Sequence, residues 1–328
     1  MISIVICSFN GISRIKECLQ AIIEQENESP IELIVVDNAS TDGTSDFCSG
    51  ILESQHSIAD WKVIQESVPG LVNARLAGLR ASKYSWVLFC DDDNLLESDF
   101  LKVANDFILG VSDQVGVIGS KGLAHFHGPE PSWFSKYSSS YAVGDQLPEG
   151  FDSKNLNHVY GACSLFRKDC LLNLFDRGFQ PIMKGRTGEK SISGDDVEWC
   201  WLMQLSGFEI AYNSELRFKH VLESRRLNWS YYLDLKRGIS SGAGLLFSYT
   251  YFHQNPLAGL TLFKLAFKKE LLRYFLLEKK YGLKWGGEIT DPQKQLALKI
   301  IQANRASFSK FESPSRAHFI QLKHYFGS

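Results

Sequence analysis

The sequence predicts an α/β protein: a mostly parallel sheet flanked by helices, followed by a helical C-terminal extension. Three observations carry that expectation. Short β-branched runs alternate with helix-spaced apolar residues over the first third of the 328-residue chain. Clusters of Asn, Ser, Thr, Asp and Gly punctuate the joins. Beyond His220 the chain turns to aromatic and basic segments of helical character.

Residues 2–7 form a β-branched run, as expected of a strand buried on both faces. Ile15, Cys18, Leu19, Ile22 and Ile23 then mark one face of a helix. Residues 33–36 read as a second buried strand ending at Asp37, and 38–43 as the turn before a second helix. Residues 61–65 give a third strand and 71–81 a helix with Leu71, Ala74 and Gly78 on one side. A fourth strand, 86–90, runs into Asp91-Asp92-Asp93. Ser98 is placed to cap a helix carrying Leu101, Ala104 and Ile108, and 115–119 is strand-like. Such units imply a parallel sheet, whose ligands bind beyond the carboxyl ends of the strands. Asp37 and Asp91 both stand at such ends.

From 121 to 160 the pattern fades into a Gly/Pro/Ser-rich stretch with Trp133, Phe134 and Tyr137, read as a long loop. Structure resumes at 159–167, then in a helix after Gly194 with Val197, Cys200, Trp201 and Leu205 on one face. The glycines of 238–244 follow no convincing strand, so that segment reads as a loop and not a phosphate cradle. Asp291-Pro292 has the form of an N-cap with proline at the first helical position.

Composition excludes several classes. Hydrophobic residues make up 44% and charged residues 22%, ordinary for a folded soluble protein. A net charge of -2 gives no global attraction to nucleic acid, so an anionic ligand needs a local site. Seven cysteines without CxxC spacing, two of them inside strand-like runs, fit buried thiols in a reducing compartment. The N-terminus leads directly into a strand, unlike a secretory signal, and no apolar stretch is long enough to span a bilayer. A cytoplasmic protein is expected.

Three adjacent carboxylates repel one another and call for a cation or for solvent. Asp91-Asp92-Asp93 fits a site for Mg²⁺ or Mn²⁺, which take hard oxygen ligands together with substrate phosphates. Alone, it fits a solvated helix-capping turn equally well. Its neighbours decide. Ser8-Phe9-Asn10-Gly11 follows the first strand, Asp37-Asn38-Ala39-Ser40-Thr41-Asp42-Gly43 the second, and Gly70-Leu71-Val72-Asn73-Ala74-Arg75 precedes the acidic strand. This order resembles the family-2 glycosyltransferases with the GT-A fold. The resemblance covers 1–110 and resumes at Tyr160-Gly161-Ala162 and Gly194-Asp195-Asp196, about two thirds of the chain.

The resemblance implies an inverting transfer of sugar from a nucleoside-diphosphate donor, UDP-linked by preference, to a glycan or lipid-linked precursor of the cell envelope. Ser8, Phe9 and Asn10 would line the nucleotide pocket, Asp37 would accept hydrogen bonds from base or ribose, and Arg75 would approach base or phosphate. Asp91 would face the ribose or a metal-bound water, Asp92 would stand beside it, and Asp93 would hold Mn²⁺ or Mg²⁺ directly. Asp196 matches the position of the general base, with Asp195 supporting it where the family usually has Glu. His220 would complete the metal site and Arg226, after Arg225, would hold diphosphate oxygens. The implied organisation is a catalytic domain over 1–222, split at 120 into nucleotide-sugar and acceptor halves, with a helical extension over 223–328.

Of the aromatic residues Trp133, Phe134, Trp199, Trp201 and Trp229, only Trp133 stands in a polar loop and suits an acceptor platform. Between Lys264 and Lys284 lie seven basic and two acidic residues among many Leu and Phe. Segment 257–284 therefore reads either as a helix packed on the protein or as one lying on an anionic membrane at its inner face. Two other activities share the pattern. A sugar-nucleotide nucleotidyltransferase would need a basic Gly-rich loop after the first strand, which is missing, and a carbohydrate-binding module would not need Asp91, Asp93 and Asp196.

Overall fold

The computed structural model describes residues 1–26, 29–147, 156–187, 190–285 and 289–327. They form two compact units: Met1–Gly178 with Trp199–Leu227, and Phe179–Glu198 with Asn228–Ser328. By contact, 179–198 groups with the C-terminal helices and the first unit ends at Leu227, whereas the sequence places the catalytic part at 1–222.

The first unit opens with β1 (Ile2–Ser8), α1 (Ile15–Ile23), β2 (Ile31–Asp37), α2 (Thr44–Glu53), β3 (Asp60–Gln65) and α3 (Leu71–Ala81). It continues with β4 (Trp86–Asp91), β5 (Asn94–Leu96), α4 (Phe100–Gly110), β6 (Val115–His127) and α5 (Phe134–Tyr137), the last running into a tight turn at Ser138–Tyr141. Then come β7 (Ser164–Arg167) and α6 (Lys168–Asp176). The short antiparallel strands β8 (Arg186–Thr187) and β9 (Lys190–Ser191) belong to the second unit and precede α7 (Asp195–Leu205), after which β10 (Glu209–Glu223) completes the first. Strand order in the main sheet is β3-β2-β1-β4-β7-β6-β10-β5.

β1 lies between β2 and β4, parallel to both, and β3 extends the parallel run. Its residues Ile2, Ile4, Val5 and Ile6 are buried, which is what a strand covered on both faces requires. Leu19 and Ile22 of α1, Cys48 and Leu52 of α2, and Phe100 and Leu101 of α4 join the same core. α3 approaches so closely that a β-carbon at Gly78 would meet Val5 Cγ1 at 2.3 Å. Beyond β4 the sheet turns mixed. β7 runs antiparallel to β4 and β6, β10 parallel to β6, and β5 antiparallel to β10.

Three sequence expectations change here. β6 does not stop near 119 but continues to His127, because 121–127 pairs with 217–223 of β10, a partner far along the chain. The N-cap of α4 is Asp99, not Ser98. Segment 238–244 is no loop: α8 (Trp229–Ser240) and α9 (Ala243–Gln254) meet there across two residues.

The second unit holds those helices with α10 (Leu260–Lys284), α11 (Pro292–Lys310) and α12 (Glu312–Phe326). Asp291 caps α11, accepting from the N–H of Gln293 and Lys294. The core is aromatic: Phe263 and Phe267 pack on Phe247, Phe308 and Phe319. Within this unit Glu198 is fully buried and accepts from Tyr249 Oη at 2.6 Å and from the N–H of Ile182 and Met183 at 2.8 and 2.9 Å. Burial pushes its carboxyl up from 4.5 to about 7, the hydrogen bonds opposing.

Two predictions test this packing. The folded pKa of Glu198 lies above the unfolded value, so its contribution is present below about 4.5 and is lost as pH rises through about 7. Urea-unfolding stability should therefore decline over that window, and Glu198→Gln should flatten the decline; an unchanged profile would contradict the assignment. Gly122 on β6 bridges to Gly144, and a β-carbon there would lie 1.9 Å from the Ala142 carbonyl oxygen. Gly122→Ala should cost about 1–3 kcal/mol, read as a lower denaturation midpoint.

Candidate active site

Parallel pairing brings three strand ends together. Ser8 stands opposite Asp37 across β1–β2, and Cys7 opposite Asp91 across β1–β4. The loops that follow are laced by side-chain hydrogen bonds. Asn10 N–H donates to Ser40 Oγ at 2.9 Å, Thr41 N–H to Asn10 Oδ1 at 2.9 Å, and Gly11 N–H to Thr44 Oγ1 at 3.0 Å. Asn10 adopts φ of 49°, a left-handed conformation that asparagine tolerates. Asp37 is buried and accepts from Ser40 N–H at 3.1 Å. Asn38 accepts from Gly70 N–H at 2.8 Å and so fixes the start of α3, the helix that carries Arg75. The Phe9 side chain is exposed.

Each carboxylate of the acidic triplet faces a different arginine. Asp92 is buried; it accepts from Ser8 Oγ at 2.6 Å and receives Arg14 on both oxygens, at 2.7 and 2.9 Å. Burial pushes its carboxyl up to about 6, with Arg14 pulling the other way, so it remains ionised at neutral pH. Gly11 is held close by the same cluster: a β-carbon there would meet Ser8 Oγ at 1.9 Å and Asp92 Oδ2 at 2.6 Å. Asp91 lies 3.6 Å from Arg75, whose guanidinium also covers the Phe89 ring at 5.7 Å. Asp93 lies 2.8 Å from Arg226 Nη1 and 3.4 Å from His220 Nε2.

His220 is oriented from behind. Its Nδ1 is 2.6 Å from the Tyr141 carbonyl oxygen, which can only accept, so Nδ1 carries a hydrogen and Nε2 is turned away from that carbonyl. Nε2 faces the niche where Asp93 Oδ2 and Arg226 Nη1 meet, the latter 3.3 Å away. One carboxylate oxygen and one imidazole nitrogen could hold Mn²⁺, with phosphate oxygens supplying further positions; Mg²⁺ would favour the oxygens alone. Among the described residues no group of three or more His, Cys, Asp or Glu is placed to hold a metal. Beneath the triplet, the sulfurs of Cys18 and Cys163 each lie 3.8 Å from that of Cys90. Burial raises the Cys163 thiol, and these cysteines serve as small buried groups.

Asp195 and Asp196 belong to the second unit, on the first turn of α7. Asp195 is buried and Asp196 half-buried, its Oδ1 accepting from Val197 N–H at 2.9 Å. Gly194 before them has φ of 127°, a conformation that selects glycine. Trp199 and Trp201 are core residues, Trp199 edge-on to Phe89 and Phe166, and Trp133 is half-buried.

Sequence reasoning missed Arg14, Asn94 and the Tyr141 carbonyl. Asn94 Oδ1 accepts from Asp91 N–H at 3.2 Å and so shapes the triplet. A lone arginine in a polar loop and a backbone oxygen leave no compositional signal. The Asp92 cluster yields a prediction: Asp92→Ala strands Arg14 and should lower stability by about 1–3 kcal/mol. Hydrogen exchange should rise over 8–14 while the helices of the second unit stay protected; equal protection of that loop would refute the role.

The profile described as glycosyl transferase family 2 matches residues 3–175, more than half of the chain. The glycosyltransferase GlyA of Streptococcus pneumoniae serotype 4 is 26% identical over 160 residues, 47% of this chain and 22% of GlyA. The glycosyltransferase AglE of Haloferax volcanii is 24% identical over 214 residues, 64% of each chain. Thus the chain spans less than two thirds of the length of these relatives, and about a fifth of GlyA. Two solved structures share the fold. S. aureus TarS 1–349 in complex with UDP-GlcNAc has a TM-score of 0.51 at 18% identity, covering 98% of this chain and 88% of that one. The mannosyltransferase PcManGT from Pyrobaculum calidifontis, in complex with GDP-Man and Mn²⁺, has a TM-score of 0.53 at 16% identity, covering 100% and 76%. With the profile covering more than half of it, the chain belongs to glycosyl transferase family 2, with a GT-A-type fold.

Proposed function

We propose that this protein is an inverting glycosyltransferase. In this reading it uses Mn²⁺ or Mg²⁺ and moves a sugar from a UDP-sugar to a hydroxyl of a glycan or lipid-linked glycan precursor. The setting proposed is polysaccharide assembly for the cell envelope, from the cytoplasmic side. The observation that carries the reading is the triplet at the strand ends, with Asp93 set against Nε2 of His220 and the guanidinium of Arg226. TarS with UDP-GlcNAc and PcManGT with GDP-Man and Mn²⁺ supply examples of the donor class on this fold.

The residue roles follow from their chemistry. Backbone groups at Ser8, Phe9 and Asn10 line the nucleotide, Asp37 accepts from base or ribose, and Arg75 steadies Asp91 beside the ribose. Asp93 and His220 are the protein ligands proposed for the cation, which when bound offsets charge on the departing diphosphate. Arg226 offers a planar pair of donors to phosphate oxygens. Asp196 takes the proton of the acceptor hydroxyl, with Asp195 supporting it. The acceptor oxygen then bonds to the anomeric carbon from the face opposite the diphosphate. The bond from that carbon to the phosphate oxygen breaks, and the electron pair leaves with the diphosphate.

Two measurements separate donor binding from transfer. A thermal-shift screen of UDP-, GDP-, dTDP- and CMP-sugars, with Mn²⁺ and with chelator, should show stabilisation that needs both metal and one nucleotide. Asp93→Ala should abolish that Mn²⁺-dependent gain; unchanged calorimetric affinity for UDP would reject the metal role. Asp196→Asn should keep donor binding and lose about 10²–10⁴-fold in transfer rate, and full turnover in that variant would remove it as base.

A further inference from the structure

Helix α10 is apolar on two opposite sides. Phe263 and Phe267, 1% and 0% exposed, face inward. Leu265, Leu272, Leu276 and Leu283, between 55% and 83% exposed, face outward. At about 100° per residue these four fall within about 40° of one another and form one stripe along the helix. Leucines this exposed in a line do not serve the fold, and contiguous exposed apolar surface marks an interaction site.

The charges around the stripe are ordered. By the same spacing Lys268 and Lys279 flank it on one side, and Lys269, Lys280 and Arg273 on the other. Both acidic residues of the helix lie toward the packed side, Glu270 paired with Arg273 at 2.6 Å and Glu278 paired with Arg305. The outward face therefore carries cationic charge alone. Paired copies of this face would bring lysines against lysines with no acid to compensate. An anionic bilayer offers the complement on both counts, apolar depth for the leucines and negative headgroups for the lysines. With 25 residues α10 is about 37 Å long. No described helix is long and apolar enough to cross a membrane, so α10 would lie in the surface plane.

We infer that α10 is a peripheral docking surface for an anionic lipid bilayer, seated through Leu265, Leu272, Leu276 and Leu283 with the flanking lysines at headgroup level. This inference does not depend on the reaction proposed above, because its readout is partitioning without turnover.

The test is cosedimentation of the full chain with vesicles of phosphatidylcholine alone and of phosphatidylcholine with about one third phosphatidylglycerol. Binding should appear only with the anionic vesicles and should fade as salt approaches roughly 1 M. Lys269→Gln and Lys280→Gln should each lower partitioning about fivefold. Leu272→Ser with Leu276→Ser should lower it about tenfold or more, while Leu109→Ser, an exposed leucine of the first unit, should change nothing. Circular dichroism of each variant confirms that the helices remain formed. Equal binding to both vesicle types, or full binding by the double leucine variant, overturns the inference. So does a concentration-dependent dimer in sedimentation velocity that the double leucine variant abolishes, since the stripe would then belong to a second copy. Retention on polyglutamate without vesicle binding would assign the face to an acidic protein and overturn it equally.

Discussion

The site rests on one electrostatic arrangement: three adjacent carboxylates at the end of β4, each matched by an arginine from elsewhere in the chain. Arg14 comes from the loop after β1, Arg75 from α3, and Arg226 from the turn after β10. Unpaired, three neighbouring carboxylates would repel and protonate. Paired, they tie three separate segments to one strand end. Asp92 shows how tight the balance is, because burial raises its carboxyl to about 6 and bidentate Arg14 keeps it ionised at neutral pH. The cluster is thus near neutral before a ligand arrives. A diphosphate would add negative charge beyond what three arginines already balanced by three carboxylates can offset. That supplies a physical reason for a divalent cation in the proposed reaction.

Topology explains how Asp93 and His220, so far apart in sequence, come to face each other. The triplet is followed at once by the three-residue strand β5, which pairs antiparallel with β10 and sets His220 opposite Asn94. Val221 N–H donates to the Asp93 carbonyl at 2.9 Å and locks that register. On the other flank Gly122 meets Gly144, which holds the segment bearing the Tyr141 carbonyl against β6. That carbonyl accepts from His220 Nδ1 and orients the ring. A glycine on one strand therefore bears on the orientation of an imidazole ring on another, by way of a backbone oxygen.

The features legible in the sequence are those that local pattern decides. β1, β2 and β4 show as β-branched runs, and the residues at their ends inherit a location from the sheet they imply. The unequal fates of Asp91, Asp92 and Asp93 were not legible. Chemically identical and adjacent, they differ in burial and in which distant arginine, serine or histidine each one meets. Arg14 escaped notice for the same reason, since nothing local separates it from a solvated side chain. β6 looked short because its second half is stabilised by pairing with β10 and not by its own composition. The glycines of 238–244 looked like a loop because glycine disfavours helix on intrinsic grounds. Packing overrides that: a β-carbon at Gly244 would stand 2.8 Å from the Ser307 carbonyl oxygen, so α9 needs glycine to approach α11.

Net charge hides the electrostatics of α10 in the same way. The chain as a whole carries -2, which suggests indifference to an anionic surface. Screening limits each charge to roughly 8–10 Å at physiological salt, well short of the roughly 37 Å length of the helix. A bilayer at the outward face would therefore sense the lysines that line it, and not the net charge of the chain. The apolar stripe has a matching logic. Lysines alone would give weak, salt-labile adhesion, and leucines alone would invite aggregation. Together on one face, with both glutamates turned inward, they favour a surface that is apolar and anionic at once, the boundary between headgroups and acyl chains.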